Sequence, residues 1–206
     1  MKFQDLPHIL PVYAKAGTIL LPRAQLPLVL QGNEEKALVE YTLQEKHRLI
    51  GVIQPTPEGG HFQMGCVGRI IHFQEGAQFS ILLGGLCRFK VKEVLEEHPI
   101  KKILVSYQGY EKDLHAFSLD PLVNRPHLLS LLKGYLENQE IEANWEEIEQ
   151  ASNDRILSSL TMACPFEPIE KQALLEMPTL SERCDMMIAL MEMAHPHLIS
   201  RSTILH

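Results

Sequence analysis

Residues 65–91, GCVGRIIHFQEGAQFSILLGGLCRFKV, constrain the fold more than any other stretch, because their apolar positions recur with a period of two. Phe79, Ile81 and Leu83 alternate with Gln78 and Ser80, and Cys87, Phe89 and Val91 alternate with Arg88, Lys90 and Lys92. A period of two puts one apolar face on each strand, and those faces require a shared core. Glu75-Gly76 and Gly84-Gly85 supply tight connections, since glycine reaches positive φ without a Cβ clash. The stretch therefore predicts a β-meander, with Gly84-Gly85 as one of its turns.

Upstream, prolines at 7, 11, 22 and 27 interrupt aliphatic runs, a pattern that helices reject and short or edge strands accept. Asn33, Glu34 and Glu35 suit the start of a helix running through Lys46, with Leu38, Tyr41 and Thr42 on one face. Residues 49–53 read as a buried strand, PTPEGG at residues 55–60 as a loop, and residues 100–107 as the strand that closes the sheet.

After Lys112 the apolar period becomes helical, and a composition shift near Asp120-Pro121 marks a division into residues 1–119 and 120–206. Charge divides with it. Residues 1–115 carry 13 Lys and Arg against 12 Asp and Glu, whereas residues 116–206 carry 6 against 14, consistent with the overall charge of −7. An acidic second half argues against a nucleic-acid footprint over the whole molecule and leaves the first half open.

Four helices are expected in that second half. Leu128, Leu129, Leu131, Leu132, Tyr135 and Leu136 encircle a central helix after Pro126. Asn144 with Glu147 and Thr179 with Glu182 have capping-box spacing, and Pro168 suits a first helical turn. Trp145, Ile148, Ile156, Leu160 and Ala163 follow one helical stripe, and Leu180, Cys184, Met187, Ile188 and Met191 another. Met186 and Met193 lie off that stripe and suit an adaptable partner surface.

Motifs for chemistry are sparse. Gly60 and Gly65 have phosphate-loop spacing, but Cys66-Val67 follows where Lys and Ser or Thr are required. There is no H-E-x-x-H, no G-x-S-x-G and no dinucleotide fingerprint. Cys66, Cys87, Cys164 and Cys184 are too scattered for a metal site and read as buried free thiols. His195 and His197 read as solvated tail residues, because metal ligands need hydrogen-bonded support behind them. No metal or cofactor is expected. The N-terminus MKFQDLPHIL lacks an unbroken apolar core for a signal peptide, so a cytoplasmic location is expected.

One family resemblance runs along nearly the whole chain. GCVGRI at residues 65–70, the turn at Glu75-Gly76 and GLCRF at residues 85–89 resemble the strand, turn and G-x-x-R-F strand of the Lon N-terminal domain. LPHILPVY and LLPRAQLPLVL stand where that family has its paired Leu-Pro strands, and KQALLEMPTLSERCDMMIALMEMA resembles its helical end. The family's aromatic, Glu, Arg and Tyr signature is replaced here by Gln31-Gly32-Asn33-Glu34-Glu35. The resemblance implies an α+β fold in which a PUA-like twisted β-barrel with one helix precedes a helical bundle.

It also implies a non-catalytic module, standing apart from the motor and Ser-Lys domains of the full protease. Such a module would bind exposed apolar segments of unfolded or damaged polypeptides, or a degron, and could work with a protease partner. Strand addition at a Pro-broken edge is the physical route, with Leu21, Leu28 and Leu30 as apolar contacts, against the plainer reading of each as an ordinary core residue. Arg69 and Arg88 match family positions and are either substrate contacts or internal partners of Glu75 or Glu93. The alternative is an RNA- or anion-binding surface made by Arg88, Lys90 and Lys92, against the plainer reading of a solvated sheet face.

Overall fold

The structure is a computed structural model that describes residues 3–76, 79–95, 100–115, 124–138 and 142–194. Gln78, Asp120-Pro121, His195, His197 and His206 lie outside the described residues. By contacts the chain forms two compact units, Met1–Ala116 with Ser158–Glu176, and Phe117–Leu157 with Met177–His206.

Six strands build the first unit: β1 (Ile9–Ala14), β2 (Gln25–Leu30), β3 (Leu49–Ile53), β4 (Met64–Gln74), β5 (Phe79–Leu95) and β6 (Lys102–Ser106). Their order is β2-β5-β4-β3-β1-β6, and β6 also pairs with β5. That second pairing closes β5, β4, β3, β1 and β6 into a barrel and leaves β2 appended outside the ring. All pairs are antiparallel except β1 with β3.

The expected turn at Gly84-Gly85 is replaced by a strand that continues past it with a register shift that leaves Leu86 as an extra residue. Gly84 pairs with Arg69 and Gly85 with Gly68, so β5 is continuous from Phe79 to Leu95. These glycines serve close approach instead. A Cβ on Gly85 would collide with the Leu21 carbonyl, whose segment is held there by bonds from Arg23 N to Gly85 O and Gly85 N to Ala24 O, both 2.9 Å. Glycine inside a strand marks such contacts as readily as a turn.

Leu10, Phe89 and Ile103 are fully buried in one core cluster, and Leu83 is fully buried in a second, to which α1 (Asn33–Gln44) adds Leu38 and Val39. The Glu35 carboxylate accepts from Gln31 N at 2.8 Å and Gly32 N at 3.4 Å, which satisfies amides before the helix. A smaller cluster of Ile19, Leu21, Ala24, Met64 and Leu175 lies outside these two.

Among the described residues of the second half, α2 (Arg125–Asn138), α3 (Trp145–Gln150), α4 (Asn153–Ala163), α5 (Pro168–Glu176) and α6 (Leu180–Ala194) form five helices rather than four. The single stripe read from Trp145 to Ala163 is cut at Ala151, whose extended backbone caps α3. Arg125 secures this corner, donating to Asn153 Oδ1 at 2.7 Å and to the Glu149 carbonyl at 2.7 Å. Within the second unit α2 packs on α6, with Leu128, Leu132, Met187 and Met191 fully buried.

The return of Ser158–Glu176 to the first unit was not visible in periodicity. Two buried glutamines make the attachment. Gln54 Nε2 donates to the Pro168 carbonyl at 3.0 Å and to Gln172 Oε1 at 3.1 Å, while Gln172 Nε2 donates to the Met64 carbonyl at 3.0 Å. Buried amides are stable only when paired in this way.

Candidate functional site

The appended strand β2 is the site's foundation. Gly85 N donating to Ala24 O makes Gln25 and Gly84 a non-hydrogen-bonded pair, and antiparallel pairing alternates from there. Leu26, Leu28 and Leu30 therefore exchange bonds with β5, whereas Gln25, Pro27 and Val29 turn their backbone groups away from it. Among the described residues no strand pairs with that far side. The free edge thus offers amide N–H at Gln25 and Val29 and carbonyls at all three positions.

The face bordering this edge is apolar. Val29 is 44% exposed and Ile71 49%, and Pro27 is exposed opposite the half-buried Leu82. Ile71 extends over Gly84, since a Cβ there would meet its Cγ2 at 3.3 Å. Across three strands the surface carries Pro27 and Val29, then Leu82 and Ser80, then Ile71 beside the exposed His72 and Gln74, which are the register partners of Leu82 and Ser80.

The residues singled out from sequence fall elsewhere. Leu21, Leu28 and Leu30 are all buried, Leu28 and Leu30 beneath β2 and Leu21 in the outer cluster. Arg69 is half-buried on β4, opposite Leu49 and Gly84. Arg88 is buried rather than part of a solvated face with Lys90 and Lys92. Its partner is neither Glu75 nor Glu93. Nε and Nη2 donate to the two oxygens of Asp113 at 2.9 Å each, the Arg88 amide donates to Asp113 Oδ2 at 2.9 Å, and Nη1 donates to the Leu175 carbonyl at 3.3 Å.

Alternation gave Arg88 its correct direction, outward from the barrel. What it could not reveal was the roof, formed by the 3-10 turn Glu111–Leu114 and the end of α5. Burial alone would lower the guanidinium pKa, but the Asp113 hydrogen bonds and charge overcome this and raise it. Tyr110 covers the pair, with its ring centroid 5.1 Å from the guanidinium carbon.

The thiols are held protonated. Burial pushes Cys87 up to about 12 and Cys164 and Cys184 up to about 11, and it also raises Cys66 well above the ordinary thiol value. Since the thiolate is the nucleophile, these cysteines are inert near neutrality. Tyr13 is likewise raised to about 12 by burial and by the Glu35 carboxylate. Among the described residues no group of three or more His, Cys, Asp or Glu could hold a metal ion, and no helix is long and apolar enough to cross a membrane.

Sequence reading did not single out Pro27, Val29, Ile71 and Leu82, which border the β2 edge, or Asp113, which holds Arg88. Two signals were present. Val29 falls on the outward set of β2 with Gln25 and Pro27, and Leu82 interrupts the alternation of Ile81 and Leu83.

The architecture defines the class first: an α+β domain in which a closed, PUA-like barrel with an appended edge strand is followed by helices. The model of the ATP-dependent protease La (LON) substrate-binding domain matches residues 9–193, and the chain belongs to that family. It is 26% identical over 200 residues to Lon protease 2 of Myxococcus xanthus, covering 91% of this chain and 24% of that one. With the Lon protease of Anaeromyxobacter dehalogenans it shares 24% over 198 residues, covering 91% and 23%. The chain therefore spans about a quarter of the length of these relatives.

Solved structures agree on the fold. The N-terminal domain of Mycobacterium avium complex Lon protease superposes with a TM-score of 0.69 at 16% identity, covering 91% of this chain and 99% of that one. A Lon N-terminal domain protein from Xanthomonas campestris gives 0.63 at 20% identity, covering 88% and 97%.

Proposed function

We propose that this domain holds extended segments of unfolded or damaged polypeptide by strand addition along β2, without cleaving them. The observation that carries this reading is the free edge itself. Backbone N–H and C=O groups on one side of a strand are complementary to another strand's backbone, and the apolar face beside them receives alternate side chains. The family's substrate-binding description supports the same class of ligand.

Leu28 and Leu30 then act from beneath, fixing β2 to the barrel, and Arg88 fixes β5; neither leucine touches the bound chain. Arg69 lies on the strand next to the apolar face and borders the bound segment. A bound segment is passed to a protease partner in the cytoplasm, where misfolded chains accumulate. RNA binding is less well supported, because the burial of Arg88 leaves Lys90 and Lys92 beside the exposed Glu93.

Fluorescein-labelled, reduced and carboxymethylated α-lactalbumin tests the proposal by anisotropy. Binding on the order of micromolar is expected, falling about tenfold in Leu82→Asp. Labelled single-stranded RNA at low salt should not bind. Absence of lactalbumin binding, or equal binding by Leu82→Asp, would overturn the reading.

A further inference from the structure

Resting on the strand-addition reading, we infer that Pro27 determines the grip and register of the β2 edge, splitting it into two anchors at Gln25 and Val29. Pro27 occupies the middle of the three residues whose backbone groups turn away from β5. Its ring nitrogen carries no hydrogen, and its Cδ stands where a neighbour's carbonyl would lie. An incoming strand donates to the Pro27 carbonyl but receives nothing back at that residue.

Two consequences follow from that missing donor. The bound segment is an extended polypeptide fastened at the residues facing Gln25 and Val29, with the carbonyl facing Pro27 left to water. The same gap weakens pairing between the β2 edges of two copies, since each copy brings the defect to the shared ladder. The edge therefore accepts many sequences, releases them, and resists zipping onto its own kind.

Pro27→Val restores a donor at an exposed position without removing a bond to β5, and Val29→Pro removes one of the two remaining donors. Against the labelled lactalbumin, Pro27→Val should bind about five- to tenfold tighter and Val29→Pro about as much weaker, the range expected for one hydrogen bond. Sedimentation should show self-association in Pro27→Val and none in the parent. Pro27→Ala carries the same test with a smaller side chain, and circular dichroism checks the fold of each variant.

If the parent binds, Val29→Pro weakens binding and neither Pro27 variant tightens it, the inference on Pro27 is overturned while strand addition stands. If lactalbumin does not bind, or Val29→Pro leaves its binding unchanged, the strand-addition reading falls and takes this inference with it. Self-association of the parent through β2 would also overturn the assigned role of Pro27.

Discussion

Along residues 79–84, β5 lies between β2 and β4, whereas along residues 90–95 it pairs with β6 at the closure of the barrel. The first half sends Ile81 and Leu83 into the core and still shows apolar groups outside, where Leu82 meets Pro27. The second half sends Phe89 and Val91 inward and shows Lys90, Lys92 and Glu93 outside, with Val94 as its one exposed large apolar side chain. Between them Arg88 is sealed beneath the 3-10 turn and the end of α5. One strand thus has an outer face committed to structure at one end and an outer face left open at the other. The proposed binding falls on the first half, and the Arg88 junction serves stability.

Breaking the sealed junction should have the largest effect. Asp113→Ala leaves the Arg88 charge buried without its carboxylate and should cost about 3–5 kcal/mol in urea denaturation. A loss below about 1 kcal/mol would mean that the pair does not anchor this half. Gly85→Ala comes next, because its Cβ meets the Leu21 backbone; about 1–3 kcal/mol of stability should be lost. Gly84→Ala is a sharper control, since its neighbour is the movable Ile71 side chain and its cost should stay below that of Gly85→Ala.

On the open half the effect should move from stability to binding. Val29→Asp and Ile71→Asp, like Leu82→Asp, should weaken capture of unfolded polypeptide about tenfold while changing stability by no more than about 1 kcal/mol. The smallest effect belongs to the charged face. Lys90→Gln and Lys92→Gln should leave both stability and polypeptide binding within about 0.5 kcal/mol of the parent. A tenfold loss of binding in either would move the site to the wrong half of β5.

Much of the barrel could be read in advance, for local reasons. The proline spacing announced β1 and β2, the period of two announced both ends of β5, the family resemblance of residues 65–70 announced β4, and the capping pair Thr179 and Glu182 is realised with Thr179 Oγ1 at 2.7 Å from the carboxylate. Gly84-Gly85 misled because close backbone approach and a tight turn use the same residue. Arg88 misled because its roof comes from Asp113 and Leu175, 25 and 87 residues away. The proposed binding surface was the least legible part. Leucines and valines default to the core, and only the register between β2 and β5 separates the buried Leu28 from the exposed Val29.

Amide hydrogen exchange resolved to single residues offers the sharpest view of the β2 edge. In the free protein the Gln25 and Val29 amides should exchange rapidly while Leu26 and Leu28 are protected, and saturating unfolded lactalbumin should slow Gln25 and Val29 selectively. Unchanged exchange at both amides, with protection appearing around Lys90 and Lys92 instead, would contradict the assignment of this edge as the place where polypeptide is held.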